Sequence, residues 1–304
     1  MRDSRLVNPA ASAYARLKNI ASQKHVEFMH LLIRYGTERF LYRLSLLPFA
    51  DQFVLKGGNL FVIWQKGNNS RPTIDSDLLC FGNADPEHLR KVFVAAAGSG
   101  VSSEDGMRYD MESLEISPIR EETEYGGTRI LLTAYLGQAR FRLQFDIGVG
   151  DVITPCPERV EFPVLLNGPA PLLKVYPMVT AIAEKAEVMV SRGFVNSRMK
   201  DFYDIWLLSE LFDHDYATLR LAVQNTFAFR HVSLPESTPE AWTQSFARHP
   251  MKAIQWAAFL RKNKMIDAPK DFGVVVAKVA EFLSPVFFAL PKVPVIWKAS
   301  AGWQ

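Results

Sequence analysis

Helical periodicity marks the first part of the chain. Apolar residues recur at spacings of three and four between residues 10 and 47, a stretch with little Gly or Pro, as Phe28, Leu31 and Tyr35 show. This spacing predicts one or two amphipathic helices. Pro48 ends the pattern, because proline cannot continue a helix interior.

Short apolar segments replace the helical pattern after residue 52. Residues 53–55, 60–64 and 78–81 are apolar runs, and the pair Gly57 and Gly58 separates the first two. This rhythm predicts a strand, a helix and a second strand.

Two longer runs, residues 130–136 and 139–147, flank the pair Gly137 and Gln138. A Gly-first loop of two residues is typical of a β-hairpin. In the second run apolar and polar residues alternate, which puts Asp146 on the polar face of a strand.

The second half of the chain has mainly helical patterns. Residues 152–173 are rich in Pro and predict a connection. A helix is then predicted from about Met178 to the stop signal Gly193, and another from about Arg198.

Together these elements predict an α+β fold. A small mixed β-sheet core flanked by helices is followed by a C-terminal helical bundle, with domains over residues 1–175 and 176–304. The chain has 304 residues, 48% of them hydrophobic and 22% charged. Such a chain can bury a sizeable core, which excludes disordered and collagen-like proteins.

The longest apolar runs, such as residues 272–279 and 286–290, are broken by Lys, Glu or Pro. They fall well short of the roughly 20 residues of a membrane span. The N-terminal residues also lack the continuous apolar core of a signal peptide. We therefore expect a soluble, cytoplasmic protein with no membrane partner.

The net charge is +3, but its sign is unevenly distributed. Residues 1–56 hold nine Lys and Arg against four Asp and Glu, residues 241–304 nine against three, and residues 85–125 four against ten. Two basic regions could bind a polyanion such as RNA, although uneven charge usually marks only a solvated face. The basic residues that support an RNA interpretation are Arg34, Arg39, Arg43, Arg248, Lys252, Arg261, Lys262 and Lys264.

Asp75 and Asp77 are the sharpest candidates for chemistry. Two aspartates two positions apart on a strand point to the same face. Because such a pair repels itself, a divalent cation is its natural partner, and hard oxygen ligands suit Mg²⁺ or Mn²⁺ better than zinc. A lone Asp-x-Asp is nevertheless common on loops and at strand ends.

The preceding segment Lys56, Gly57, Gly58 and Asn59 could form the other half of a site. Glycines let a phosphate approach the backbone, and a helix that starts near Asn59 would direct its free N–H groups at that anion. A glycine pair alone most often marks a turn. The order and spacing of the two halves together favour a phosphate and metal site.

Three later positions also carry candidate charges. Lys185 falls on a mainly apolar helix stripe, where it needs an anion unless its stem reaches solvent. Asp201 and Asp204 share a helix face, and Lys200 lies four residues before Asp204, so a surface ion pair is the simple alternative. Asp146 suits a third carboxylate, or it pairs with Arg142 on the same strand face.

Four stretches of the chain carry a family resemblance. The chain resembles the AbiEii/AbiGii toxin-like nucleotidyltransferases, relatives of the polymerase-β-type nucleotidyltransferase superfamily. The stretches keep the family order and comprise residues 55–59 with 71–78, 145–151, 180–186 and 198–208. In one departure, Asn59 stands where the family usually has a small hydroxyl residue. Asn can still cap a helix or bond a phosphate.

The resemblance implies metal-dependent transfer of a nucleotidyl group from a nucleoside triphosphate (NTP) to an acceptor hydroxyl. It implies the toxin of a toxin–antitoxin pair with a cognate antitoxin, and often an RNA acceptor such as the tRNA acceptor end. The catalytic residues it implies are Asp75, Asp77, Asp146, Lys185 and Asp204, supported by Lys200 and Asp201, with Asp75 and Asp77 as metal ligands. The nucleotide-binding residues it implies are Lys56, Gly57, Gly58, Asn59, Arg71 and Lys185.

Two other functions stay open at this point. One is a non-catalytic nucleotide- or partner-binding regulator that has kept the fold. The other is transfer to a protein or small-molecule hydroxyl, which the same residues could perform.

Overall fold

The computed structural model describes residues 8–67, 73–99, 104–119, 126–288, 295–299 and 301–304. The chain forms two compact units. The first comprises Met1–Gly150 and Glu158–Tyr176, and the second comprises Asp151–Pro157 and Pro177–Gln304.

A mixed seven-stranded sheet, counted over the described residues, is the centre of the first unit. Its order is β3-β4-β5-β2-β1-β7-β6. The pairs β2–β5 and β1–β7 are parallel, and the other neighbours are antiparallel. The strands are β1 (Phe53–Lys56), β2 (Asp75–Cys80), β3 (Met107–Ile119), β4 (Gly127–Leu136), β5 (Ala139–Val149), β6 (Glu158–Glu161) and β7 (Leu172–Val175).

Helices pack against this sheet through aromatic residues. Phe40 lies with its ring centroid 5.1 Å from Phe93, 5.4 Å from Tyr109 and 4.7 Å from Phe145, so two helices and two strands share one core. The helices are α1 (Pro9–Lys24), α2 (Phe28–Ser45), α3 (Leu60–Trp64) and α4 (Pro86–Gly98). The helical prediction over residues 10–47 is confirmed as α1 and α2.

The predicted hairpin is confirmed as β4 and β5. Leu136 pairs with Ala139 around the turn, and Gly137 has a φ of +60°, which glycine adopts without steric cost. Phe141 and Phe145 point into the core with exposures of 5% and 0%, and Asp146 lies on the opposite, half-buried face.

The prediction of a connection over residues 152–173 is wrong in part. Strand β6 and the first residues of β7 lie within this range. Each has only four residues, too few to show alternation, and β7 pairs in parallel with the distant strand β1. Strand β3, in the acidic part of the chain, was also not predicted, because only three of its 13 residues are buried at the edge of the sheet and they do not alternate along the whole strand.

The second unit is mainly helical, which confirms the predicted fold class. Among its described residues it also has a small sheet, not predicted, with order β10-β9-β8. Its elements are α5 (Met178–Arg192), α6 (Met199–Leu211), β8 (His214–Asp215), α7 (Tyr216–Phe229), α8 (Gln244–Arg248), α9 (Pro250–Asn263), α10 (Phe272–Phe287), β9 (Ile296–Lys298) and β10 (Gly302–Trp303). Throughout the described ranges, the helices are too short or too polar to span a membrane.

The short segment Asp151–Pro157 is tied to the second unit by polar contacts. Arg230 donates to Asp151 at 3.0 Å and to Glu187 at 2.6 Å. Thr154 accepts from the Asn225 amide at 2.9 Å. These contacts explain why the segment belongs with the helices although the sheet strands β5 and β6 flank it in sequence.

Candidate active site

Three carboxylates converge on neighbouring strands of the first unit. Asp75 and Asp77 lie on β2, and Asp146 lies directly beside Asp77 on the parallel strand β5. One carboxylate oxygen of each lies within 4.8 Å of the others, and all three residues are half-buried. Among the described residues this is the one such group of three or more potential metal ligands. Repelling carboxylates with hard oxygen donors fit a divalent cation.

Cations flank these acids along one row of the sheet. Lys56 on β1 pairs in register with Asp77, Asp77 with Asp146, and Asp146 with Arg129 on β4. Residues directly opposite on neighbouring strands share a face. Across the four strands the order is therefore a cation, two acids and a second cation. Asp75, two residues before Asp77 on β2, adds a third acid to this face.

The glycine pair gives space to side chains of the site. Gly57 has a φ of +68°, and a Cβ there would lie 1.8 Å from Asp77 Oδ2. At Gly58 a Cβ would lie 2.3 Å from Thr73 Oγ1. Because neither position has room for a side chain, the turn can pass directly against Asp77 and Thr73.

Asn59 joins this turn to strand β2. The residue is buried, and its amide donates to the Asp75 carbonyl at 3.2 Å and to Ser76 Oγ at 2.9 Å. Asn59 directly precedes the five-residue α3, but within the described chain its side chain makes no capping bond to that helix. Arg71, the other nucleotide-binding candidate nearby, lies outside the described residues.

Lys56 is held beside an aromatic ring. Its Nζ lies 5.0 Å from the centroid of Tyr176, within the range of a cation–π interaction. Lys56 is half-buried on β1, and its register pair with Asp77 places its side chain on the same face of the sheet as that acid.

Arg129 is the partner of Asp146. Its Nε donates to Oδ1 and its second guanidinium nitrogen to Oδ2, each at 2.8 Å. The Gln144 amide donates to the same carboxylate at 3.1 and 3.3 Å. Arg142 pairs with Glu115 on β3, so among the described residues the proposed Arg142–Asp146 pair is replaced by the Arg129–Asp146 pair.

In the second unit, Lys185 bridges two aspartates. Its Nζ donates to Asp204 Oδ2 at 2.8 Å and to Asp201 Oδ1 at 3.1 Å. Both carboxylates are buried, and the lysine side chain is 16% exposed. The structure thus brings three sequence candidates together, while Lys200 is exposed on α6.

Arg198 also belongs to this cluster, and the sequence analysis missed it. Its Nε donates to Asp201, three residues later. Burial by itself would raise the pKa of Asp201, but the charges of Lys185 and Arg198 hold that pKa below its usual range. Asp201 is therefore a buried, ionised carboxylate, and the spacing of three from Arg198 was the signal for its second partner.

Comparison with protein families decides the assignment. The model of the family described as nucleotidyl transferase AbiEii toxin of type IV toxin–antitoxin systems matches residues 39–278. This chain belongs to the AbiEii family. The match contains both acidic clusters, and the family makes the AbiEii chain a nucleotidyltransferase of the type IV toxin class, which implies a cognate antitoxin.

Other comparisons give distant likenesses. No curated protein matches the AbiEii chain. A solved structure of a candidate nucleotidyltransferase from H. pylori is 12% identical, with 86% of this chain and 96% of that chain covered and a TM-score of 0.46. The structure of JHP933 from Helicobacter pylori is also 12% identical, with coverages of 85% and 91% and a TM-score of 0.45.

The structure corrects the predicted basic surface of this AbiEii chain. Arg39 and Arg43 are 3% exposed, and they donate to backbone carbonyls of Pro169, Ala97 and Met107. Lys252 is 2% exposed and donates to a backbone carbonyl at 2.8 Å. These three residues are internal, so they cannot contact phosphate on the surface. The predicted basic residues that are exposed are Arg248, Arg261, Lys262 and Lys264.

Proposed function

We propose that this AbiEii-family enzyme transfers a nucleotidyl group from an NTP to a hydroxyl group of RNA, with Mg²⁺ or Mn²⁺ held by Asp75 and Asp77. The observation that carries the proposal is the convergence of three half-buried carboxylate groups within 4.8 Å beside a glycine turn. When bound, a divalent cation would neutralise triphosphate oxygens and lower the pKa of the acceptor hydroxyl.

The residues around these carboxylates have separate roles in the proposal. Lys56 attracts the triphosphate by its charge. We keep Gly57 and Gly58 as candidates for backbone contacts with phosphate on the sequence resemblance, while in the structure Asp77 and Thr73 occupy the space on the Cβ side of these glycines. Asn59 fixes that turn to β2 through its bonds to Asp75 and Ser76. We keep Arg71 as a candidate phosphate ligand on the sequence resemblance alone.

We assign Asp146 as the third carboxylate of the site and as the acceptor of the hydroxyl proton. The acceptor oxygen forms a bond to the α-phosphorus, and the bond from that phosphorus to the bridging oxygen breaks. Pyrophosphate leaves with the electron pair of that bond, and the hydroxyl proton passes to the Asp146 carboxylate.

Lys185 and Asp204 complete the set of catalytic candidates. The ammonium of Lys185 would offset the negative charge that develops on the phosphates, and Asp204, with Asp201 and Lys200 in support, would hold it in position. The ion pair of 2.8 Å between Lys185 and Asp204 supports this assignment.

The choice of RNA as acceptor rests on exposed positive charge. Arg248, Arg261, Lys262 and Lys264 are exposed, and Arg261, Lys262 and Lys264 lie within four residues at the end of α9. Phosphate contacts by such residues make binding fall steeply with salt. We place the reaction in the cytoplasm, and we infer a growth-inhibiting toxin, acting on the tRNA acceptor end, whose cognate antitoxin is encoded nearby.

A labelling experiment tests the function. The enzyme is incubated with Mg²⁺ or Mn²⁺ and each NTP in turn, labelled at the α-phosphorus, beside separate cellular RNA, protein and metabolite fractions. We expect label in RNA, less label at high salt, and none when the γ-phosphorus carries the label. Asp75→Asn should abolish labelling, and Asp267→Asn, at an exposed position that belongs to neither acidic cluster, should leave it unchanged.

Each other outcome identifies a competing function. Label only in protein or metabolites means that the acceptor is not RNA. No label in any fraction, together with NTP binding that survives Asp75→Asn, means a non-catalytic nucleotide-binding regulator.

A further inference from the structure

Arg129 and Asp146 form a bidentate ion pair. They lie directly opposite each other on β4 and β5. Two guanidinium nitrogens each donate to one carboxylate oxygen at 2.8 Å. The side chain of Arg129 is 40% exposed and that of Asp146 is 14% exposed.

A bidentate contact of this kind fixes the orientation of the carboxylate and also balances its charge. An aspartate carboxylate rotates easily about its last bond, and a planar guanidinium holds both oxygens in one plane. A lysine ammonium would supply the same charge as a single point and would leave that rotation free. The Gln144 amide, on the same strand face, adds a weaker restraint at 3.1 and 3.3 Å.

Orientation matters here because an ion held by Asp75 and Asp77 would also be within reach of Asp146, whose carboxylate lies within 4.8 Å of both. Their repulsion favours rotation of the groups away from each other when no ion is bound. The charge of Arg129 by itself would repel a divalent cation and weaken its binding. The fixed geometry of the third carboxylate has the opposite effect, and partners that orient a metal ligand typically contribute 10- to 100-fold in affinity.

We propose that Arg129 is a positioning residue that fixes the Asp146 carboxylate for the divalent cation. It acts through Asp146 and does not itself contact the ion. The inference rests on the metal site of the proposed function.

The test is a Mn²⁺ titration of the full chain without nucleotide, with the free ion measured by electron paramagnetic resonance. Arg129→Lys keeps the charge without the planar contact, and Arg129→Gln keeps a donor without the charge. We expect both variants to bind Mn²⁺ about 10- to 100-fold more weakly than the wild type. Arg142→Gln is the matched control, because Arg142 shares the strand face of Asp146 but pairs with Glu115.

Two results would overturn the inference. Wild-type affinity in Arg129→Lys means that only the charge matters, and tighter binding in Arg129→Gln means that Arg129 merely competes with the ion. Thermal unfolding without metal checks that each variant is folded, and Arg129→Lys carries the test if Arg129→Gln does not fold.

The double variant Asp75→Asn with Asp77→Asn separates this inference from the proposed function. Mn²⁺ binding that survives the double variant in a folded protein refutes the proposed metal site. Binding that the double variant abolishes but that Arg129→Lys and Arg129→Gln leave unchanged refutes the positioning role alone.

Discussion

At Gly57, an added side chain and the carboxylate of Asp77 would occupy the same space. Gly57→Ala places a Cβ 1.8 Å from Asp77 Oδ2, and its φ of +68° adds strain of about 1 to 2 kcal/mol. Because the carboxylate must move, we expect Mn²⁺ binding to weaken at least tenfold. Calorimetric titration measures the affinity, and urea denaturation measures the free energy of unfolding.

Gly82→Ala is the control for Gly57→Ala. Gly82 has a φ of +92°, and no described atom lies within 4 Å of the added Cβ. This variant carries comparable backbone strain without the clash, so it should lose stability but keep Mn²⁺ affinity. If Gly57→Ala binds Mn²⁺ as tightly as the wild type, Asp77 is not a ligand.

Residue type alone predicts charge but not exposure. Asp75 and Asp77 could be placed from the sequence, because alternation on a strand gives their common face. Arg39 and Arg43 were misplaced, because an arginine on a helix looks the same in sequence whether it reaches solvent or pairs with buried carbonyls and acids. In the structure, Arg43 donates to two backbone carbonyls and to Asp105.

Register between strands explains which partner of Asp146 could have been predicted. The two-residue turn at Gly137 and Gln138 was recognised, and counting outward from it pairs residue 146 with residue 129. Arg129 could therefore have been predicted from the hairpin, although the sequence analysis named only Arg142 as a partner of Asp146. The parallel pairing of β2 with β5 could not be predicted, because it joins segments about 70 residues apart and depends on the assembled sheet.

At the level of elements, α5 and α6 are joined by the Lys185 bridge. Lys185→Ala would leave two buried carboxylates with one cation fewer, which typically costs about 3 to 5 kcal/mol, so loss of activity would be ambiguous. Lys185→Arg keeps the charge between Asp201 and Asp204. We expect it to remain folded and to lose transfer activity at least about 100-fold, because the larger, planar guanidinium does not place its charge where the single ammonium lies.

Single-turnover labelling and thermal unfolding measure the two effects of Lys185→Arg. The matched control is Lys278→Arg, since Lys278 also bridges two carboxylates, Glu210 at 3.6 Å and Glu281 at 3.0 Å, but lies on α10. Wild-type transfer by Lys185→Arg would show that Lys185 serves only as a counter-charge for the aspartates.

For the whole molecule, the two units contain buried acids with opposite pKa shifts. Burial raises the pKa of Glu38 in the first unit to about 7, against the lowering effect of Arg39 and of the Leu165 N–H. The pKa of Asp201 in the second unit is held low by Lys185 and Arg198, after an opposing contribution from burial. Stability should therefore fall at both ends of the pH range, for a different reason in each unit.

The lowered pKa of Asp201 determines how its contribution to the free energy of unfolding changes with pH. The unfolded chain takes up a proton near its ordinary value of 3.8, at a pH where the folded protein does not. Its contribution to stability is therefore present above that value and is lost as the pH falls further.

The contribution of Glu38 to the free energy of unfolding changes with pH in the opposite direction, because its pKa is raised. Between its ordinary pKa of 4.5 and about 7, the folded protein keeps a proton that the unfolded chain has released. Its contribution is fully present below pH 4.5 and is lost as the pH rises through about 7, with a total on the order of 3 kcal/mol.

Comparison with Glu38→Gln isolates this contribution, because glutamine stays neutral and can still accept from Leu165. Urea denaturation at pH 5 and pH 8 gives the change in unfolding free energy for each protein. The wild type should lose more stability over this interval than Glu38→Gln, while Glu112→Gln, at an exposed position on β3, should behave as the wild type. Equal changes in wild type and Glu38→Gln would mean that Glu38 is already ionised at pH 5, and that its contact with Arg39 at 2.9 Å outweighs burial.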